Sequence, residues 1–322
     1  AGETEISTVG MEGTSLRYRG YDAIELTKTH TYEDVASLII DDNLDGKLFK
    51  ETFTDHYENL LNDKDLIKLI ENLKVGQHPM DVMRTAISYI GQVEESNKLE
   101  AASKVTAIAC LVIASYNEEP SGQLDADYTV ASSLLPNTAS NQQHEALDDM
   151  LILYAEHGFN ASTFAARVTA STRSDLTSAI VSGVGTLKGE LHGGANEAAV
   201  ELINSFSNPK DAEKGVYKLL EEKKKIMGFG HGVYKIQDPR SPVVKNWVEV
   251  LSKTEESLNK YEIAKTVDAI MDSEKKLFPN VDFYGGLLLL ELGFAVDLFT
   301  PIFVTGRSVG WSAHYFEQRD QD

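Results

Sequence analysis

An all-α fold is what this sequence predicts, on three observations. Apolar residues recur at helical spacing along most of the chain, strand-like alternation is confined to the first twenty residues, and no alternation of strands and helices builds a doubly wound sheet. Residues 6–9 and 14–18, flanking a turn from Gly10 to Gly13, are expected to form one small N-terminal β-hairpin. Beyond them, helices are expected near 32–40 and 56–73. The next is marked by Val82, Met83, Ala86, Ile87 and Ile90 behind Pro79, which suits a first helical turn. Further helices are expected near 100–116, 144–156 and 161–182. Ala195, Ala198, Ala199, Leu202, Ile203 and Phe206 then repeat at 3.6-residue spacing after Gly193-Gly194. The remaining helical stretches lie near 209–224, 242–253, 257–275, 285–295 and 301–317. The stretch 121–141, rich in Ser, Asn, Asp and Pro, is expected to be a long loop.

At 322 residues the chain has room for about two domains of roughly 150 residues each. A hydrophobic content of 42% is that of a globular protein, so the net charge of −20 does not signal disorder. That charge does argue against binding duplex nucleic acid or an anionic membrane, both of which need a broad cationic surface. The longest apolar runs, 105–116 and 285–296, fall short of the roughly 20 residues of a membrane span. The start, Ala1-Gly2-Glu3-Thr4-Glu5, lacks the basic and apolar regions of a secretory signal. It also lacks Met, and with the abrupt end at Asp322 the chain is expected to be trimmed at both ends. Cys110 is the only cysteine, so neither an intrachain disulfide nor a cysteine-based zinc site is expected, and a reducing, cytoplasmic location fits.

Three glycine-containing breaks in the second half carry side chains suited to chemistry. The first, Leu191-His192-Gly193-Gly194-Ala195-Asn196-Glu197, is open enough for a ligand to meet imidazole and backbone together; the alternative is a surface turn whose His caps a helix. The second, Met227-Gly228-Phe229-Gly230-His231-Gly232, superficially resembles a dinucleotide loop. It follows a charged helix rather than a strand, so that reading fails. Around it, 214–245 holds eight Lys and Arg against three Asp and Glu, a local +5 that suits either a solvated helix face or an anion site. In the third, Asp282 stands between Val281 and Phe283 at the head of an apolar helix, either as a base with raised pKa or as an N-cap. Glu156-His157-Gly158-Phe159-Asn160-Ala161-Ser162 places a His and a hydroxyl at a helix junction. Arg307, between Gly306 and Gly310 in an apolar helix, points to an anionic partner. His30, His56, His78, His144 and His314 are expected to be structural.

Taken in order, Leu191 to Glu197, Gly228-Phe229-Gly230-His231, Asp238-Pro239-Arg240 and Pro279-Asn280-Val281-Asp282 resemble the citrate synthase family, which includes 2-methylcitrate synthases. The likeness extends from Tyr18-Arg19-Gly20-Tyr21-Asp22 through the His78 to Thr85 block to Gly310-Trp311 and Glu317-Gln318, nearly the whole chain. It implies an all-α homodimer of the tricarboxylic acid cycle, with a large domain at 1–194 and 293–322, a small domain at 195–292 and the active site between them. By motif, His192, His231 and Asp282 match the catalytic trio, and His157, Arg240 and Arg307 the ligands of the oxaloacetate carboxylates. Ser162 matches a hydroxyl near the first carbonyl. The resemblance further implies that Lys223, Lys224, Lys225 and Lys235, with the backbone at Gly228 and Gly230, meet the phosphates of a coenzyme A thioester co-substrate, with no permanent cofactor and no metal.

Three features depart from the family pattern. The chain stops before an Ile-Arg-Pro-type segment, Gly232 stands where Arg or Pro is common, and 132–141 looks shortened. Within the family, condensation of acetyl-CoA with oxaloacetate is the first expectation and use of propionyl-CoA the alternative, since one methylene is worth only about 1–3 kcal/mol in a pocket. A non-catalytic coenzyme A- or carboxylate-binding dimer and a metal hydrolase using His192, His231 and Asp282 are the competing classes.

Overall fold

The computed structural model describes residues 3–13, 15–117, 124 and 128–321. Thr14 of the expected hairpin, 121–123 and 125–127 of the expected loop, and Ala1, Gly2 and Asp322 at the ends lie outside them. The described chain divides into two compact units. One comprises the described residues up to Val9, Leu16–His192 and the chain from Thr300 onward; the other comprises Gly10–Ser15 and Gly193–Phe299.

The first unit begins with a sheet of three strands rather than the expected two. Strand β1 (Ser7–Val9) pairs antiparallel with β2 (Leu16–Tyr18), and β2 pairs with β3 (Tyr21–Asp22). The extra strand follows from Arg19 and Gly20, both at positive φ (47° and 87°), as a two-residue hairpin turn of matching twist requires. Asp22 then caps α1 (Ala23–Thr29), a helix too short to show apolar periodicity, by accepting from the Ile24 and Glu25 N–H groups. A capping box at Thr31 and Asp34 opens α2 (Tyr32–Asp41).

The helix expected over 56–73 is two helices, α3 (Lys47–Leu61) and α4 (Lys64–Lys74). Apolar spacing runs straight through Asn62-Asp63, but Asp63 accepts from the N–H groups of Asp65 and Leu66 and starts a new helix. After α5 (Pro79–Tyr89), α6 (Lys98–Ala114) is buried on nearly every face and packs along α3. The expected loop at 121–141 contains a short helix, α7 (Val130–Leu134), capped by Thr129. It leads to α8 (Asn141–Tyr154). The helix expected over 161–182 is also two, α9 (Ala161–Ser171) and α10 (Leu176–Leu187), separated where Arg173 turns to positive φ and Asp175 caps α10. They pack on each other, and α16 (Phe299–Gln321) completes the unit. A Cβ at Gly183 of α10 would fall 2.9 Å from the Trp311 ring of α16.

In the second unit, α11 (Ala195–Asn204), α12 (Pro209–Glu221), α13 (Ser241–Leu251) and α14 (Glu255–Lys275) follow the expected helices closely, whereas α15 (Val281–Glu291) lies four residues earlier than the expected 285–295 because Asn280 caps it. Here α15 packs against α11 and α13, and α12 against α14. The crossing of α11 and α15 is so close that a Cβ at Gly286 would sit 2.5 Å from the Asn196 carbonyl oxygen. Among the described residues, no helix is long and apolar enough to cross a membrane.

The close crossing has a direct consequence. Gly286→Ala, which adds one methyl where backbone already stands, is expected to lower stability by about 1–3 kcal/mol through overpacking. Urea denaturation measures it, and an unchanged midpoint would contradict the packing described.

Candidate active site

In the first unit the turn 189–192 carries His192, whose backbone N–H donates to the Gly189 carbonyl at 2.8 Å. The ring is not a helix cap: the N-cap of α11 is Gly194, and no side chain caps that helix. Instead Nε2 of His192 lies 2.8 Å from Ser162 Oγ and accepts from the Ser162 backbone N–H at 3.3 Å. A backbone amide can only donate, so Nε2 is an acceptor and the proton of the neutral ring sits on Nδ1. Burial first, and the positive charge of Arg307 second, push the imidazole pKa down to about 4. His192 is therefore a neutral hydrogen-bond donor at pH 7.

Ser162 is held from several sides. Trp311 Nε1 donates to its Oγ at 3.2 Å, and Asn160 Oδ1 lies 2.7 Å from the same oxygen, so the single hydroxyl proton serves either Asn160 Oδ1 or His192 Nε2. Asn160 also caps α9 through the Thr163 N–H, which fixes the start of the helix that carries Ser162. Arg307 is buried on α16, with Nε donating to the Tyr154 carbonyl at 2.6 Å and its guanidinium over the Phe303 ring at 4.8 Å. Buried His157 follows Glu156 in the turn between α8 and α9. The unit thus holds His157, Ser162, His192 and Arg307 on three connected segments.

In the second unit two segments are stitched together. Gly230 N–H donates to the Phe278 carbonyl, Asn280 N–H to the Gly228 carbonyl, and Asn280 Nδ2 to the Gly230 carbonyl at 3.0 Å. Gly228 and Gly230 both have positive φ, and a Cβ at Gly228 would press on Phe283 at 2.8 Å, so this approach needs glycine. His231 follows directly. Its Nδ1 accepts from the N–H groups of Val233 (3.0 Å) and Tyr234 (3.2 Å), which leaves the ring proton on Nε2. Burial first, then the Arg240 charge, push this pKa down to about 4 as well.

Asp282 lies in the first turn of α15, but the cap is Asn280, whose side chain accepts from the Asp282 N–H. The N-cap alternative for Asp282 is thereby replaced. Arg240 and Asp238 form a buried two-pronged pair, with Nε–Oδ1 at 3.0 Å and Nη2–Oδ2 at 2.8 Å. Asp238 Oδ2 also accepts from the Val281 N–H at 3.0 Å, so one carboxylate fixes both Arg240 and the head of the Asp282 helix. Burial opposes both charges, yet mutual attraction prevails: the Asp238 carboxyl is held below its usual range and Arg240 is held more firmly protonated, with Asp282 contributing. Asp238 was visible in sequence only as an Asp two residues before Arg240.

Lys223, Lys224 and Lys225 are exposed just after α12. Lys224 pairs with Glu222 at 2.8 Å, and exposed Lys235 donates to the Gly232 carbonyl at 2.9 Å. Such surface pairs hold little energy and leave the ammonium groups accessible to another anion. Among the described residues, no three His, Cys, Asp or Glu side chains gather as a metal site.

The model of a family described as citrate synthase, C-terminal domain, matches residues 1–322. A 2-methylcitrate synthase of Shewanella oneidensis is 39% identical over 336 residues, covering 100% of this chain and 90% of that protein. A citrate/2-methylcitrate synthase of Bacillus subtilis is 36% identical, covering 99% and 90%. Among solved structures, citrate synthase of Thermoplasma acidophilum, in a ternary complex with carboxymethyl coenzyme A and oxaloacetate, superposes with a TM-score of 0.88 at 27% identity, covering 98% of this chain and 89% of that one.

Two outcomes follow from this geometry. Asp238→Asn leaves Arg240 buried without its counter-charge and is expected to cost about 3–5 kcal/mol in urea unfolding. The two imidazoles have folded pKa values below the unfolded one, so the unfolded chain binds more protons between pH 6.5 and about 4, and stability falls as pH drops through that window. His192→Gln should flatten that part of the stability profile.

Proposed function

Because the chain belongs to the citrate synthase family, we propose that it condenses acetyl-CoA with oxaloacetate and water to give citrate and free coenzyme A. The observation that carries this reading is a pair of neutral imidazoles, each with one N–H fixed by backbone donors on its other nitrogen. Asp282 takes a proton from the thioester methyl while His192 Nδ1–H donates to the thioester oxygen, so the enol or enolate forms against a prepared donor. The new carbanion equivalent attacks the oxaloacetate ketone. His231 Nε2–H polarises that ketone and passes its proton to the alkoxide as the carbon–carbon bond forms. Water then cleaves the citryl thioester, releasing the thiol and the third carboxylate. Arg240, Arg307 and His157 hold the two oxaloacetate carboxylates, which supplies orientation as well as charge, and Ser162 keeps His192 in its tautomer.

Coenzyme A enters as co-substrate, with Lys223, Lys224, Lys225 and Lys235 and the backbone at Gly228 and Gly230 toward its phosphates. The large and small domains of the reaction are 1–194 with 293–322, and 195–292. A cytoplasmic homodimer is the form in which we expect it to act. Phe164 and Val168, one turn apart on α9 and each about half exposed (54% and 51%), support an apolar subunit contact there.

The names of the relatives include both activities and so support a second reading as well, 2-methylcitrate synthesis, for which propionyl-CoA is the acyl donor. Free-thiol release from each acyl-CoA with oxaloacetate separates the two. A higher kcat/KM for acetyl-CoA is expected, the reverse order establishes the second reading, and no release with either contradicts both. Asp282→Asn is expected to lower kcat about 10²–10⁴-fold, while urea midpoints report that the fold survives.

A further inference from the structure

We propose that Glu156 and His314 form a buried positioning pair that sets the oxaloacetate-binding end of the site by clamping the backbone around His157; this rests on reading His157 as a carboxylate ligand. Glu156 is fully buried, yet one of its oxygens, Oε1, receives three hydrogen bonds: Ser7 Oγ at 2.9 Å, the Gly158 N–H at 2.5 Å and His314 Nε2 at 2.9 Å. The Gly158 N–H also reaches Ser7 Oγ at 3.1 Å, and Gly158 has a φ of +58°. His157 is therefore enclosed between a residue bonded across it and a left-handed glycine, so its backbone is held on both sides.

The tautomer of His314 is set from its far side. Arg167 Nη1 lies 3.1 Å from Nδ1, and a guanidinium can only donate, so Nδ1 accepts and Nε2–H points at Glu156. Arg167 in turn binds Glu317 at 2.6 Å and Gln321 at 3.1 Å. Glu317 accepts from Thr4 Oγ1 at 3.1 Å and the Glu5 N–H at 2.9 Å. The relay runs from β1 to the turn after α8, and along α16 on the face that also carries Arg307 and Trp311. Gly310 lies at its centre: a Cβ there would meet Glu156 Oε2 at 2.5 Å and overlap the Ala155 carbonyl. Oε2 itself is buried with no hydrogen-bond partner. A carboxylate held by one oxygen depends on each of its three donors, and the loss of one allows it to rotate toward another. Such a rotation releases the Gly158 N–H and moves His157.

A positioning role separates substrate binding from chemistry. His314→Leu keeps bulk but removes the donor; it is expected to raise the oxaloacetate KM about tenfold or more, with kcat and the acyl-CoA KM nearly unchanged. His314→Gln, whose amide N–H can reach Glu156, is expected to restore most of the affinity. Should His314→Leu fail to fold, Ser7→Ala, which deletes another donor to the same oxygen, must itself raise the oxaloacetate KM. An unchanged KM in the folded variants, or a fall in kcat at constant KM, overturns the proposal. Calorimetry with oxaloacetate on the wild-type protein distinguishes the levels. A wild type that neither binds oxaloacetate nor releases thiol overturns the reading of the site, whereas an active wild type with indifferent variants overturns the relay alone.

Discussion

Two imidazoles that stay uncharged inside a strongly acidic chain are the constraint on which the proposed chemistry depends. A net charge of −20 would by itself favour protonated histidines. Locally the balance is reversed, because burial and an adjacent arginine act on each ring: Arg307 on His192 and Arg240 on His231. These arginines do double duty. They are the groups proposed to hold the carboxylates of oxaloacetate, and after burial their charge helps to keep the two imidazoles neutral. The tautomers are then fixed by backbone N–H groups, which are permanent donors and cannot reverse their role as a side chain can.

Neutral donors require that the surrounding buried charges be paired, and both units meet this in the same way. In the second, Asp238 balances Arg240 and holds the N-terminus of the Asp282 helix with the same carboxylate. In the first, Glu317 pairs with Arg167 directly and Glu156 is linked to it through His314. A buried pair of this kind adds little net stability over apolar packing, but it is costly to break, so it acts mainly to fix positions. The proposed function would also account for a segment of +5 at 214–245 in a chain of −20, since small polyanionic substrates need cations only where they bind.

Much of this was legible in the sequence, for reasons that can be named. The helices of the second unit have strong apolar periodicity between clear glycine or proline breaks, and all but α15, which its Asn280 cap starts four residues early, appear close to where expected. The errors in the first unit come from capping. Asp63 and Asp175 stop one helix and start another without interrupting the apolar spacing, so two pairs of helices read as two long ones. The candidate site residues were recognisable because each stands beside glycine or in a fixed local motif. Their supports were not: Trp311 meets Ser162 and His314 meets Glu156 across some 150 residues of chain. Asp282 taught the same lesson at short range, since the cap two residues earlier, Asn280, took the role that Asp282 alone suggested.

The central claim is that His192 and His231 are neutral donors of opposite tautomer. The most direct measurement is ¹⁵N NMR of the ring nitrogens at pH 7, with assignments from the His192→Gln and His231→Gln variants. The account expects a protonated Nδ1 with a bare Nε2 in His192, and a protonated Nε2 with a bare Nδ1 in His231. Two protonated nitrogens in either ring, or the same tautomer in both, would contradict it.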